Sequence, residues 1–255
     1  MSPQQILVIG DIHGCYDELQ ALLDRVPLSA GDWIVHVGDL VDRGPKPREV
    51  VQFFKSTPNA FGVMGNRDHK HILGHHGMLE ANPSRAFTKQ QMGSAENYTQ
   101  MINYFQSLPL YIEFPAALVV HAYFERGKRV DEQLGSVLLG HPDGEEHLLK
   151  NGINPETWYQ TYDGDRPIIV GHREYPFLNY NDRVFALDTR CVYGGKLTGL
   201  LLPNFEPYSV DALEDYATST KRLYSRMTPN LFNSSPQAGQ DGNSRNEQEL
   251  PLLQS

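Results

Sequence analysis

"QQILVIGDIHG", residues 4 to 14, runs an apolar segment straight into a glycine-flanked aspartate and histidine. The run "QQILVI" reads as a buried strand, because consecutive β-branched and leucine side chains leave no face for water. Gly10 and Gly14 permit tight turns, so Asp11 and His13, two residues apart, can be aimed at one point. The same pattern recurs twice. "WIVHV" (33–37) leads into "GDLVDRG" (38–44), and "FGVM" (61–64) leads into "GN" (65–66). Ligand sites of α/β sheets lie beyond the carboxyl ends of strands. Three loops are therefore expected to deliver polar side chains to one rim.

Between these strands "YDELQALLDRV" (16–26) has the spacing of an amphipathic helix. Strands alternating with helices predict an α/β layered fold. From Leu79 to Asn97 the pattern dissolves into polar residues with Pro83 and Gly93, after which "ENYTQMINYFQSL" reads as a helix stopped by Pro109. Residues 79–115 are expected to form a small helical cap. "LYIEF", "ALVVH", "PIIV", "RVFALD" and "KLTGLLL" supply further strands. One domain over 1–226 is expected. Residues 227–255, rich in Asn, Ser, Gln, Gly and Pro, cannot offset ordering entropy by burial and are expected to be a disordered tail.

A chain of 255 residues with 40% hydrophobic content can bury one sizeable core. Its net charge of −9 argues against coating nucleic acid or an anionic membrane. Phosphate, if bound, must be met by a local site. "MSPQQILVIGD" has neither a basic start nor a long apolar stretch, which predicts no signal peptide, no membrane span and a cytoplasmic location. Two cysteines, Cys15 and Cys191, make no disulfide framework and are expected as free thiols.

The chemistry sits where strands finish. Asp39 offers two carboxylate oxygens and Asn66 one amide oxygen, while "VVHA" and "IVGH" place His121 and His172 at the ends of later apolar runs. With Asp11 and His13 these six donors suit manganese, iron or zinc, and magnesium where water completes the shell.

In order, "GDIHG", "GDLVDRGP" and "LDTRCVYGGKLTGL", with His121 and His172 between, resemble the calcineurin-like metallophosphoesterases. The resemblance is to the bacterial phosphoprotein-phosphatase branch and its symmetrical diadenosine tetraphosphate hydrolase relatives. It implies a four-layer sandwich of two mixed sheets flanked by helices. It also implies two divalent ions, manganese foremost, with iron, zinc, nickel or magnesium as alternatives. Asp11, His13 and Asp39 would hold the first, and Asp39, Asn66, His121 and His172 the second. Arg43 would grip phosphoryl oxygens, and the nucleophile would be a metal-bound hydroxide attacking a phosphoester or phosphoanhydride.

Four positions depart from that pattern. The family places a histidine after GN and pairs it with the aspartate of VDRG; here Arg67 stands in that slot, and the aspartate is Asp42. An arginine stays protonated and stabilises charge without giving up a proton. Tyr123, Arg173 and Arg190 replace smaller residues, and the arginines are expected to add bidentate phosphate grips. Asp42, Arg43 and Arg67 are thus the catalytic candidates, and Arg43, Asn66, Arg173 and Arg190 the substrate-binding ones.

A phosphate leaving group needs no proton donor, whereas a serine or threonine alkoxide does. The expected substrate is therefore a phosphoanhydride such as a dinucleoside polyphosphate. Alternatives are a protein serine/threonine phosphatase and a phosphate-binding pseudoenzyme. His69 or His71 could stand in as the acid, although "HKHILGHH" (69–76) reads as a solvated surface cluster. His36 is expected in the core, His141 and His147 without partners, and Asp17 and Glu18 as ordinary first-turn acids.

Overall fold

The computed structural model describes residues 5–227. The tail expectation for 227–255 falls outside these residues, apart from Met227. In chain order the first half contains β1 (Ile6–Ile9), α1 (Tyr16–Arg25), β2 (Trp33–His36), α2 (Pro47–Ser56), β3 (Ala60–Gly62), α3 (Asn66–His75), α4 (Pro83–Gln91) and α5 (Ala95–Gln106). It continues with β4 (Tyr111–Glu113), β5 (Leu118–Val120), α6 (Gly135–Leu139), α7 (Pro142–Lys150), β6 (Ile168–Val170), β7 (Asn179–Tyr180), β8 (Val184–Ala186), β9 (Lys196–Leu202), β10 (Glu206–Asp211) and α8 (Tyr216–Met227).

Two mixed five-stranded sheets result, ordered β10-β9-β1-β2-β3 and β4-β5-β6-β8-β7. β1, β2 and β3 run parallel, as do β5, β6 and β8. Their carboxyl ends supply the loops that matter. β9, the run "KLTGLLL", pairs antiparallel with β1 in the first sheet, and β10, not anticipated, pairs with β9.

Strand alternation explains the layering. Ile6 and Val8 of β1 meet Val119, Ile169 and Phe185 of the other sheet, forming an inner core between the sheets. Leu7 and Ile9 face the opposite way, against Leu19 and Leu22 of α1 and Phe54 of α2. On the far side Leu118, Val120, Ile168 and Val170 pack against Leu148 and Trp158. The order helix, sheet, sheet, helix is the four-layer sandwich.

The stretch 79–97 is more ordered than its polarity suggested. Asn82 caps α4 by accepting from the amides of Ser84 and Arg85, and Pro83 opens the helix where a missing N–H costs nothing. Ser94 likewise accepts from Asn97 at the start of α5. Tyr98, Met101, Ile102 and Phe105 of α5 join the outer core beside α1 and α2. Among the described residues no helix is long and apolar enough to cross a membrane.

Candidate metal centre

All six predicted ligand side chains meet at one rim. Ligand atoms of Asp11, His13 and Asp39 lie within 4.8 Å of one another. Asp39 joins the two halves of the group, with Oδ2 at 3.5 Å from His13 Nε2 and Oδ1 at 3.5 Å from His121 Nε2. The backbone N–H of His172 donates to Asp11 at 3.0 Å, and the Asn66 amide stands 3.3 Å from His172 Nδ1.

The backbone is bent to achieve this. His13, Asp39, Asp42, Arg43 and His172 all carry positive φ, between 48° and 72°. Such left-handed non-glycine residues cost on the order of 1–3 kcal/mol each and persist only where the surroundings over-determine them. Two glycines are obligatory for the close approach. A Cβ at Gly65 would strike the Asp39 backbone and carboxylate, and one at Gly171 would strike the Asp11 carboxylate.

Ring orientation is fixed from behind. Nδ1–H of His13 donates to the Val41 carbonyl at 2.7 Å, and Nδ1–H of His121 to the Val37 carbonyl at 2.8 Å. Each Nε2 lone pair is thereby turned to the rim, as when a carbonyl behind the ring orients a metal-ligating imidazole. His121 Nε2 and Asn66 Oδ1 are buried with no hydrogen-bond partner. Two orphaned acceptors facing clustered carboxylates fit divalent cations, which accept what no protein donor satisfies.

Charge follows the same logic. Burial, Asp188 and Asp39 push the Asp11 carboxyl up. Burial works the same way on Asp39, but His121, His13 and Arg67 hold it down at about 2. Burial and Arg43 lower His13 to about 4, leaving a neutral imidazole at neutral pH. Asp188, two residues past β8 just as Asp11 is two past β1, adds a third carboxylate; its own shift is upward, from burial. Its place at the end of "RVFALD" was the signal available for it.

The second tier differs from expectation. "HKHILGHH" is a solvated cluster only at its end, where His75 and His76 are exposed. It forms most of α3, and His71 is fully buried, with Nε2 at 3.0 Å from Asp42 and Nδ1 at 3.1 Å from the Tyr98 hydroxyl. Thr88 of α4 donates to the same Asp42 oxygen at 2.7 Å. His71, one helical turn past Arg67, is therefore the imidazole that Asp42 actually engages. Although burial opposes the charge, His71 and Thr88 hold the Asp42 carboxyl below the usual carboxylate range. Arg67 itself binds Asp39 through its backbone N–H at 2.8 Å, and its positive charge bears on Asp39, Asp42 and His13.

His141 also has a partner, contrary to expectation: its Nε2 lies 2.8 Å from Nδ1 of His69. His147 pairs with Glu125 at 2.8 Å. Arg43 stays at the rim, 3.0 Å from His13 Nε2. Arg173 does not project to the rim as a free grip. Glu145, Glu156 and the Tyr123 hydroxyl occupy its guanidinium, while Tyr123 packs edge-on against His172 with ring centroids 5.3 Å apart. Arg190 pairs with Glu174 at 2.9 Å and lies over the Tyr193 ring, whose other neighbour is Arg43.

Two mixed sheets with a carboxylate and imidazole rim across their strand ends define a metal-dependent hydrolase of the α/β sandwich class. A family profile described as calcineurin-like phosphoesterase matches residues 5–188, and the chain belongs to that family as a metal-dependent phosphoesterase. It is 31% identical over 247 residues to a bis(5'-nucleosyl)-tetraphosphatase PrpE [asymmetrical] from Halalkalibacterium halodurans, covering 86% of this chain and 99% of that protein. The protein of the same name from Bacillus subtilis is 29% identical over 245 residues, covering 84% and 98%. A crystal structure of a "putative diadenosine tetraphosphatase" superposes with a TM-score of 0.68 at 28% identity, over 82% of this chain and 96% of that one. A cold-active protein-tyrosine phosphatase from a Shewanella species shares the fold alone, with a TM-score of 0.53 at 17% identity over 84% of this chain and 79% of that one.

Proposed function

We propose that this protein hydrolyses a phosphoanhydride bond of dinucleoside polyphosphates in the cytoplasm, where its buried Cys15 and Cys191 stay reduced. Asp11, His13 and Asp39 would hold one divalent ion and Asp39, Asn66, His121 and His172 the other, with manganese the first candidate. Bound there, the ions would supply Lewis-acid activation of water and of the phosphoryl oxygens.

The chain's own residues do the rest. Arg43, with its guanidinium at the His13 edge, orients the phosphoryl group under attack. Arg67 and Arg190 meet the remaining phosphates. Arg173 is assigned a positioning role, because it holds Tyr123 against His172.

The observation that carries the choice of substrate is the sealed His71. Oδ1 of Asp42 is taken by His71 and Thr88, the imidazole it engages is fully buried, and the residue standing after GN is a permanent cation, Arg67. Hydrolysis joins the water oxygen to phosphorus and releases the bridging oxygen with its electron pair. On an anhydride that oxygen departs as a phosphate, whose second pKa is about 6, and charge stabilisation suffices. An alkoxide leaving group would need a proton this rim does not supply. The relatives' name, which specifies asymmetrical tetraphosphate cleavage, supports the same class.

The test is turnover with manganese on diadenosine tetraphosphate, p-nitrophenyl phosphate and a phosphoserine peptide. The tetraphosphate is expected to lead, and preference for the peptide overturns the reading. Arg67→His should raise peptide hydrolysis by roughly 100-fold, the scale of one general acid, and alter the tetraphosphate rate much less.

A further inference from the structure

Among the described residues a second group of metal-type side chains converges, behind the rim. Cys15, Glu18 and Cys191 are all buried, and each offers a ligand atom within 4.8 Å of the other two. Cys15 stands at the N-terminal cap of α1 without making a cap bond; its sulfur lies 4.0 Å from the His13 carbonyl and is hydrogen-bonded to the Cys191 thiol. Glu18 lies three residues on, hence on the same helix face. Cys191 arrives from the loop after β8.

Glu18 was read as an ordinary first-turn acid and is not one. It is 2% exposed, and its Oε1 accepts from the Leu213 amide at 3.0 Å and the Tyr216 hydroxyl at 2.9 Å. Its Oε2 is buried and has no hydrogen-bond partner. A buried carboxylate oxygen left unsatisfied is destabilising unless a cation takes it up. Two sulfurs beside it specify which kind.

We propose that Cys15, Glu18 and Cys191 form a second metal site, for a thiophilic divalent cation of the zinc and cadmium class. Binding releases two thiol protons to solvent and leaves two thiolates and one carboxylate around one dication, with water completing a tetrahedron. Tetrahedral zinc with bonds near 2.3 Å sets sulfurs ~3.8 Å apart, within reach of small side-chain rotations from the present spacing. The rim offers carboxylates, imidazoles and an amide but no sulfur, so the two sites sort metals by softness. The cation ties the 10–15 loop, which carries Asp11 and His13, to the 187–191 loop, and through Glu18 and Tyr216 to α8.

The proposal does not depend on the substrate, because its test reads sulfur. The full chain, with manganese in excess to fill the rim, is titrated with cadmium while the ultraviolet thiolate-to-cadmium charge-transfer band is followed. One cadmium per chain is expected to saturate the band and to survive desalting, with both thiols lost to a thiol-titrating reagent. Cys191→Ser should abolish the band, and Glu18→Gln should weaken binding tenfold or more, each in a variant that still melts cooperatively. A folded native chain that develops no band overturns the site, as does a band indifferent to Cys191→Ser. So does a chain two hydrogens lighter that takes up no cadmium, since the thiols would then have joined as a disulfide. Should Cys191→Ser fail to fold, the native titration decides alone.

Discussion

His69 and His71 stand two residues apart on α3 and lead different lives. At 3.6 residues per turn they point ~200° apart around the helix. His71 faces inward, fully buried, and holds Asp42; His69 faces across the cleft to His141, in the turn before α7. The first contact is between a buried carboxylate and its partner, within the half built on the first sheet. The second is between two half-buried imidazoles and bridges the halves. The same side chain thus serves as a structural support or as an adjustable contact, according to which face of one helix it occupies.

The comparison breaks most visibly at His71. Asp42 is 2% exposed and ionised, so His71→Ala leaves a buried charge with Thr88 as its remaining side-chain donor. Removing one partner of a buried pair costs about 3–5 kcal/mol. Denaturant unfolding at pH 7 should show that loss for His71→Ala, whereas equal losses for His69→Ala and His71→Ala would erase the distinction. Because the Asp42 carboxyl is held low in the fold, its contribution is full above about pH 4, the ordinary aspartate range, and fades as pH falls further. The gap between the two variants should narrow in that acid window.

His36 sharpens the contrast from the other direction, as a buried histidine with no carboxylate partner. It accepts from the Gly38 amide at Nδ1 (3.2 Å), so its Nε2–H is left to donate to the Tyr104 hydroxyl at 3.1 Å. Burial lowers it to about 3. Between pH 3 and 6.5 the unfolded chain therefore takes up a proton that the folded chain refuses. Stability rises with pH across that window, by about 1.4 kcal/mol per unit for each such proton. His36→Gln should flatten the slope by one proton's worth, read from unfolding midpoints between pH 4.5 and 6.5. An unchanged slope would mean that other groups carry the acid sensitivity.

What was legible in the residues and what was not follows the reach of the interactions. Asp11, His13, Asp39, His121 and His172 were readable because a strand, a glycine and a ligand follow one another within a few positions, and Asn66 stands at the first position of a helix after such a strand. Asp188 obeyed the same rule and was passed over. The second tier was hidden because its partners are distant: Asp42 meets His71 and Thr88 29 and 46 residues away, and Glu18 meets Tyr216 198 residues away. No local pattern encodes those distances. Arg173 misled for a related reason, since its neighbour His172 marked it for the rim while Glu145 and Glu156, from other segments, neutralise it. In α4 the start signal was present, Asn82 before Pro83, inside a stretch whose polarity hid the helical spacing of the expected cap.

The smallest expected effect is at the bridging pair, and it tests what joins the halves. Burial lowers His69, and burial together with His69 lowers His141 to about 4, so near pH 7 both rings are neutral and share one hydrogen bond. A neutral hydrogen bond contributes about 1 kcal/mol net. A double-mutant cycle over His69→Ala and His141→Ala at pH 7.5 should therefore give a coupling of about 1 kcal/mol, small beside the loss at His71. Both folded rings resist protonation more than free imidazole does, so below about pH 6.5 the unfolded state gains protons first and the stability held by this part of the rim declines. A coupling near zero at pH 7.5 would mean the 2.8 Å contact is exchanged for water without cost.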